Sequence, residues 1–369
     1  MILHLFDDEK VVNRAIESFE KALPDRNIYI CFANDSIKFV QMRPNLHFVK
    51  DNDVCDEVDY TKVSAIIIHL LTYKKVLFIN KYINRKIPIY WIMWGADYYN
   101  ELLHSHGLDI YYEPHYLGYK FYIKKLLSKL GYRTKSLRTI ETFIKERITH
   151  CLSSNFEFDI CLKYCYSLFC DKNNVSMFFY YPISLVLNPN LLNNFVDGHK
   201  ILLGNSASFT NNHNYAFKYL KDIDLRDKTI VTPLSYGGNK KYINHVISQG
   251  RRLFPEHYEP LLKFLPLDEY NRLMLEAEVC IFSSWRQEAN GNVVIALYLG
   301  AKVFMSNRSP LYKRYKDMGI VLFELESITE EQLNTPLSIE DRQNNRTILL
   351  NRFSAERQIE VIKNIWGDF

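Results

Sequence analysis

Short runs of apolar residues alternate along this chain with segments whose apolar residues recur every three or four positions. The short runs predict buried β-strands, and the segments between them predict amphipathic helices. The predicted strands are 2–6, 28–32, 65–69, 87–94 and 177–181 in the first half, and 200–203, 229–232, 279–282, 302–305 and 320–323 in the second. The clearest helical patterns are 11–22, 215–221, 240–249, 268–276 and 292–299. Apolar strands that alternate with helices are typical of parallel sheets covered on both faces, so an α/β fold is expected.

The two series of strands predict two doubly wound, Rossmann-like domains. A stretch with two prolines and weak periodicity, from Pro182 to Pro189, separates them and is interpreted as the linker. A length of 369 residues leaves room for two such cores. We therefore expect a first domain over 1–182, a second over 183–345, and a C-terminal helix within 346–369 that packs back onto the first.

Composition and charge narrow the class of protein. A hydrophobic fraction of 47% and a charged fraction of 24% are ordinary for a soluble protein, and a net charge of +4 makes no general case for nucleic acid. Seven scattered cysteines, an odd number, favour reduced thiols in the cytosol. The opening MILHLFDDEK carries acids where a signal peptide has basic residues, and no apolar run approaches the ~20 residues that span a bilayer. A cytoplasmic protein is therefore expected.

Two loops of the second predicted domain combine glycine with small polar residues at the point where a strand leads into a helix. One follows strand 200–203, and the other is the polar turn RQEANGN between strand 279–282 and the next helix. Such loops let backbone N–H groups approach an anion, and the helix dipole favours a phosphate there. The substrate-binding residues predicted from these loops are Gly204, Asn205, Ser206, Arg286, Gln287, Gly291 and Asn292. Glu288 is placed in the catalytic set, as an acceptor for sugar hydroxyls.

Each of these features also has a simpler interpretation. Gly204 alone would be a tight turn, and Arg286 with Glu288 would be a solvated pair at a helix start, where an acid is stabilising. A third loop follows strand 229–232 and contributes Pro233, Ser235 and Tyr236 to the predicted site, although its Gly-Gly pair is equally consistent with a hinge.

The order of these motifs resembles the nucleotide-sugar region of GT-B glycosyltransferases, and more closely that of glycosyltransferase family 56. The resemblance is carried by WIMWGADY at 91–98, ILLGNS at 201–206, VTPLSY at 231–236 and Arg286-Gln287 with Gly291. Weaker matches are 3–8, Asn13-Arg14 and His69. The resemblance implies two Rossmann-like domains that face a central cleft, with the nucleotide-sugar donor held by the second domain. That family is typified by transfer of a 4-acetamido-4,6-dideoxygalactose from a dTDP-sugar to a lipid-linked intermediate of enterobacterial common antigen.

One departure from the GT-B pattern concerns stereochemistry. Many retaining enzymes of this class carry a second glutamate eight residues after the first, and here that position is Ala296. Retention of configuration is therefore not implied. No convincing Asp-x-Asp loop is present, so metal-independent transfer without a cofactor is expected.

Three polar residues in the first domain stand at the ends of predicted strands. Transfer to a hydroxyl requires a base or groups that steady the departing phosphate. Asp97, after strand 87–94, is a candidate base, although an aspartate there would also cap the following helix. Asp8, after the first strand, is the alternative base. His69 ends a third strand and is included as substrate-binding, although a histidine in this setting is more often a core residue.

Residues 115–140 form a basic segment with interleaved aromatic residues. It contains seven Lys or Arg and no Asp or Glu, with Tyr116, Tyr119, Phe121, Tyr122 and Tyr132 among them. Such a segment suits an anionic membrane surface, at about 1 kcal/mol per well-placed basic residue. A solvated helix face is the alternative.

These observations predict a glycosyltransferase that moves a fucose-type deoxyamino sugar from a dTDP-, UDP- or GDP-sugar to a lipid-linked oligosaccharide. The expected setting is bacterial surface polysaccharide synthesis, on the cytoplasmic face of the inner membrane and without nucleic acid. The alternatives are a nucleotide-sugar 2-epimerase on the same fold, which would act on the donor without an acceptor, and a non-catalytic nucleic-acid binder with salt-dependent affinity.

Overall fold

The computed structural model describes residues 1–33, 37–50, 57–175, 180 and 182–369. The strands are β1 Ile2–Asp7, β2 Asn27–Phe32, β3 Leu46–Val49, β4 Ala65–His69, β5 Ile89–Ile92, β6 His150–Leu152, β7 Asn173–Val175, β8 Lys200–Leu203, β9 Thr229–Pro233, β10 Tyr258–Leu261, β11 Ala277–Phe282, β12 Lys302–Met305 and β13 Phe323–Glu324. The helices are α1 Val12–Ala22, α2 Tyr73–Tyr82, α3 Ala96–Tyr98, α4 Tyr119–Lys129, α5 Lys135–Arg147, α6 Asn155–Phe169, α7 Ile183–Val186, α8 His213–Leu220, α9 Lys240–Leu253, α10 Leu267–Glu276, α11 Asn290–Tyr298, α12 Pro310–Asp317, α13 Glu330–Asn334, α14 Ile339–Phe353 and α15 Ala355–Trp366.

The chain folds into two compact units. Unit 1 contains residues 1–108, 125–182 and 355–369, and unit 2 contains 109–124 and 183–354. The domain bounds predicted from the sequence place residues 109–124 in the first domain and 346–354 in the C-terminal segment, whereas both belong to unit 2. The stretch interpreted as a linker includes α7 and the start of unit 2.

Unit 1 is built on a seven-stranded parallel sheet in the order β3-β2-β1-β4-β5-β6-β7. The central strands are mostly apolar and are buried on both faces, as a parallel sheet requires. Helix α1 turns Val12, Ile16 and Phe19 inward at helical spacing, and α15 packs against it so that the Trp366 ring lies 5.3 Å from that of Phe19.

Unit 2 is built on a six-stranded parallel sheet in the order β10-β9-β8-β11-β12-β13. Helix α11 is buried from Val293 to Tyr298, which explains its unbroken apolar sequence. The parallel sheets predicted from the apolar runs are therefore confirmed. Most of the predicted strand 177–181 lies outside the described residues.

Residues 109–117 form part of unit 2 although they are far from its other residues in sequence. The side chain of Asn212 accepts a hydrogen bond from the Tyr112 backbone N–H at 2.9 Å and donates one to the Ile110 carbonyl at 3.2 Å. The Tyr112 ring lies 5.0 Å from that of Tyr215 and 6.1 Å from that of Trp285. This segment therefore completes the apolar core behind the loop that follows β11.

Candidate active site

The sheet order of unit 2 determines which loops meet. Within this sheet, β8 comes first in the sequence. The chain then adds β9 and β10 on one side of β8 and returns to its other side to form β11. Ligands in open parallel sheets bind at the carboxyl ends of the strands where the order reverses, which here is the edge shared by β8 and β11. We call the loops 204–212, 234–239 and 283–289, which follow β8, β9 and β11, the edge loops.

The first edge loop depends on a glycine. Gly204 has a φ of +73°, and its N–H donates to the Ile281 carbonyl of β11 at 2.9 Å. A Cβ at this position would lie 2.9 Å from Asn211 Oδ1 and 3.3 Å from His213 Nε2. The position therefore accepts a side chain only if the loop moves.

Asn211 holds this loop in shape. It is buried, its Oδ1 accepts from the Asn205 N–H at 3.1 Å, and its Nδ2 donates to Ser206 Oγ at 3.1 Å. Its backbone carbonyl accepts from Ser283 Oγ at 2.6 Å, which ties the first edge loop to the third. Sequence analysis missed Asn211 because its partners are set by tertiary contacts. The only signal was its place near the predicted helix start.

The second edge loop packs closely against the first. The Ala207 N–H donates to the Tyr236 carbonyl at 2.8 Å, and a Cβ on Gly238 would collide with the Ala207 carbonyl oxygen. The Tyr236 ring is 49% exposed and lies edge-on to the half-exposed Phe264 ring at 6.2 Å. Of the other predicted residues in this region, Pro233 is buried as the last residue of β9 and Ser235 is partly exposed.

The third edge loop carries a buried ion pair, not the solvated pair considered as the alternative. Arg286 is 8% exposed, and its Nη2 lies 3.1 Å from Glu288 Oε1 and 3.3 Å from Thr210 Oγ1 of the first edge loop. Glu288 also accepts from Ser284 Oγ at 3.1 Å. Arg286 Nε has no hydrogen-bond partner within the described part of the chain. The guanidinium is therefore fixed in position with one donor unused.

Helix α11 begins directly after this loop. Ala289 precedes it with a φ of +58°, and no side chain of the described residues caps its N-terminus. Its first N–H groups, which include those of Gly291 and Asn292, have no intrahelical acceptor. The Asn292 side chain is held by a bond from its Nδ2 to the Tyr270 hydroxyl at 3.0 Å. The structure thus brings the predicted residues of all three loops to one sheet edge, beside helix donors that suit an anion.

The Arg286–Glu288 pair is also close to Tyr111, from the segment that unit 2 takes from the first half of the chain. Burial raises the pKa of the Tyr111 phenol, the Arg286 charge opposes this rise, and the Glu288 carboxylate adds to it. Sequence analysis did not assign Tyr111 to the site.

Unit 1 repeats the same topological arrangement. Its sheet order reverses at the edge shared by β1 and β4, and the candidate carboxylates follow β1 and β5. Asp97 accepts from the Leu71 N–H at 3.0 Å, Trp91 Nε1 at 2.8 Å and the Trp94 N–H at 3.1 Å. Burial raises the pKa of Asp97 despite these three donors. Through these hydrogen bonds, the Asp97 side chain links the backbone that follows β4 to the end of β5.

Asp8 organises a different part of this edge. Its carboxylate accepts from the backbone N–H groups of Lys38 at 2.6 Å and of Phe39 and Val40 at 3.0 Å each. The adjacent Asp7 forms a 2.5 Å ion pair with Lys75, a fully buried lysine that sequence analysis did not single out.

His69 lies in the core of unit 1 at 1% exposure. Its Nε2 is 3.1 Å from His4 Nδ1, its Nδ1 is 2.6 Å from the Tyr180 hydroxyl, and His4 Nε2 is 3.1 Å from Asn27 Oδ1. One tautomer of each neutral histidine satisfies the whole chain of bonds. The structure therefore gives His69 the core role that was the alternative to substrate binding.

Two parallel α/β units, each with polar loops at the carboxyl edge of its sheet, are the architecture of the GT-B fold. The chain is similar in fold to Anabaena HepE, solved with UDP and glucose, at a TM-score of 0.63 and 15% identity over 100% of both chains. It is also similar to sucrose-phosphate synthase from Thermosynechococcus elongatus, at 0.62 and 10% identity over 100% of this chain and 98% of that one. A glycosyltransferase from Rickettsia africae gives 0.59 and 13% identity, over 100% and 99%.

The sequence itself shows the family to which this chain belongs. Residues 76–346 match the model of the 4-alpha-L-fucosyltransferases, glycosyl transferase group 56. The chain belongs to this family and is a glycosyltransferase, as the resemblance in the sequence predicted.

Proposed function

We propose that this enzyme transfers a fucose-type deoxyamino sugar from a nucleotide-diphosphate sugar to a lipid-linked oligosaccharide, in the synthesis of a bacterial surface polysaccharide of the O-antigen or enterobacterial common antigen type. The observation that carries the donor assignment is the pairing of an uncapped α11 N-terminus with Arg286 at the edge where β8 and β11 meet. The solved HepE complexes, with UDP and with UDP-glucose, support a nucleotide-sugar donor for the same fold.

The donor diphosphate would lie over the α11 N-terminus, with the Gly204 loop on its other side. Its charge would be balanced by the Arg286 guanidinium, which is held at this edge by Glu288 and Thr210. Glu288 would hold Arg286 in place through their 3.1 Å contact. The exposed rings of Tyr236 and Phe264 would provide a surface for the nucleobase.

The acceptor hydroxyl would be activated by a carboxylate of unit 1, and we assign Asp97. In that step the hydroxyl proton passes to the carboxylate, the oxygen bonds to the anomeric carbon, and the bond from that carbon to the diphosphate breaks. A base is most effective when its pKa approaches the working pH, and burial raises the pKa of Asp97 in that direction. Asp8 is the alternative base.

Contact with a membrane is supported by the surface of α4. Six apolar side chains with helical spacing are exposed on α4 and the residue that follows it: Tyr119, Tyr122, Ile123, Leu126, Leu127 and Leu130. This stripe is accompanied by Lys120, Lys124, Lys125 and Lys129. Apolar residues with flanking lysines are the pattern of helices that lie in the interface of an anionic bilayer. We infer a peripheral location on the inner face of the cell membrane. No helix among the described residues is long and apolar enough to cross a membrane.

Turnover with a donor panel tests the function. UDP-, dTDP- and GDP-linked sugars are offered with and without a diphosphate-linked lipid acceptor in vesicles, and release of nucleoside diphosphate is measured. The proposal predicts release that requires the acceptor. Donor conversion without an acceptor would support the epimerase instead, and the absence of both donor binding and turnover would overturn the assignment.

A further inference from the structure

A cavity of about 500 Å³ lies in unit 1, and no residue of the edge loops lines it. It is formed by the end of α2, the turn between α4 and α5, and one face of α5. Its polar lining includes the Thr139 and Thr142 hydroxyls and the Asn80 amide.

The lining of this cavity is strongly basic. Five of its side chains are cationic and only one, Glu146, is acidic; the cations are Arg85, Arg133, Lys135, Arg138 and Arg147. Arg133 is partly neutralised by Glu141, whose Oε1 lies 3.5 Å from its Nε. Arg85, Lys135 and Arg138 have no ion-pair partner among the described residues. Such a concentration of like charge is unfavourable unless an anion offsets it.

Arg147 lies at the inner wall of this cavity. It is 6% exposed, its Nη1 is 3.5 Å from Asn80 Oδ1, and its Nη2 is 3.3 Å from the Asn84 carbonyl oxygen. Its Nε has no hydrogen-bond partner in the described part of the chain. Burial lowers the pKa of Arg147, and the nearby charge of Arg85 lowers it further. A buried guanidinium with a long contact and an unused donor, but no carboxylate partner, is costly in the absence of a ligand.

We propose that this cavity binds a phosphate-bearing anion, a phosphomonoester or a diphosphate, through Arg147 at its base and Arg85 and Arg138 at its mouth. The guanidinium groups supply charge-assisted donors that match phosphate oxygens, and the Thr142 hydroxyl adds a neutral one. The site does not depend on the proposed donor chemistry of unit 2. Two sources supply this chemistry, a lipid headgroup and a soluble phosphate, and the test separates them.

The soluble arm titrates inorganic pyrophosphate into the full-length protein by calorimetry, with and without a saturating mixture of UDP, dTDP and GDP to occupy the edge loops. We expect a binding event that persists in the nucleotides and weakens about 100-fold or more in Arg85→Gln/Arg138→Gln, because two charge-assisted contacts, each contributing about tenfold or more, are lost. Both arginines are exposed, so this variant should fold. The control is Lys21→Gln/Lys363→Gln, which removes the same charge from exposed positions on α1 and α15 and should bind as the wild type does.

The lipid arm compares vesicles of phosphatidylcholine that carry phosphatidic acid or phosphatidylglycerol at equal surface charge. A headgroup source predicts a preference for the phosphomonoester of phosphatidic acid, lost in the arginine double variant and kept in the lysine control. The site is supported if, in either arm, the arginine double variant loses binding and the lysine control keeps it. The arm in which this happens identifies the source of the phosphate, soluble or lipid. If neither arm shows binding that depends on these arginines, the proposal is overturned. A protein that binds none of UDP, dTDP and GDP but binds pyrophosphate through these arginines would contradict the donor assignment alone.

Discussion

Replacement of Gly204 by alanine tests whether the first edge loop must keep its shape to bind a donor. The backbone there has a φ of +73°, and an L side chain in this left-handed region costs about 1–2 kcal/mol. The new Cβ would also lie 2.9 Å from Asn211 Oδ1 and displace it. Asn211 bonds to both Asn205 and Ser206, and disruption of such buried bonds adds about 1–3 kcal/mol.

The chain offers a matched control in Gly319→Ala. This glycine of unit 2 has a φ of +82°, but an added Cβ meets only Ile348 Cδ1 at an ordinary 3.6 Å. The two variants share the backbone cost and differ by the displacement of Asn211. At about 2–4 °C per kcal/mol for a domain of this size, Gly204→Ala should melt a few degrees below Gly319→Ala.

The functional readout is calorimetry with UDP, dTDP and GDP. For the nucleotide that binds the wild type, Gly204→Ala should weaken binding about tenfold or more, since one misplaced charge-assisted N–H contact costs about 1.5–3 kcal/mol. Gly319→Ala should bind as the wild type does. If both variants melt alike and bind the nucleotide alike, Asn211 and the Gly204 loop have no part in the donor site.

Three further predictions concern charge and surface. Arg286→Met should weaken nucleotide binding about tenfold or more by calorimetry, and unchanged affinity would leave Arg286 a purely structural role. Burial lowers the pKa of His4 and His213 to about 3, below the ordinary 6.5, so between these values the unfolded state holds more protons. Stability should therefore fall as the pH drops below 6.5, by up to about 1.4 kcal/mol per pH unit for each histidine, and a urea midpoint that is constant from pH 7 to 5 would contradict this. Leu126→Asp should weaken binding to anionic vesicles about tenfold or more, whereas Ile339→Asp should not, because Ile339 is also well exposed but lies on α14, away from the α4 stripe.

The inner strands were predictable because burial on both faces makes them continuous apolar runs. Strands β1, β4, β8 and β12 begin at the predicted residues. The edge strands β7 and β10 were missed because sheet edges need fewer apolar residues: β7 is Asn-Asn-Val, and β10 has a proline within it, which is typical of an edge. The edge strand β3, Leu-His-Phe-Val, was missed as well. The interior strand β6 has only three residues and a polar first position.

The edge loops were predictable because glycines and polar residues at strand ends are local signals. What the sequence did not reveal depends on contacts between distant residues. The bonds of Asn211, the burial of Lys75 and the placement of Tyr111 beside Arg286 and Glu288 have no local signature. The segment that contains α4 was recognisable in the sequence as basic and aromatic. The exposure of its apolar stripe was not, because an amphipathic helix has the same sequence pattern whether its apolar face packs on the core or faces solvent.

The membership of residues 109–117 in unit 2 limits how this enzyme can be recombined with its relatives. A fragment cut from 183 to 354 would leave the Asn212 amide without its bonds to Ile110 and Tyr112, and would expose the Trp285 ring by removing Tyr112. Such a fragment should precipitate or bind nucleotide poorly. A working chimaera that exchanges the whole of unit 2 therefore needs four junctions, at 108/109, 124/125, 182/183 and 354/355, so the exchange is constrained by the path of the chain as well as by the residues of the edge loops.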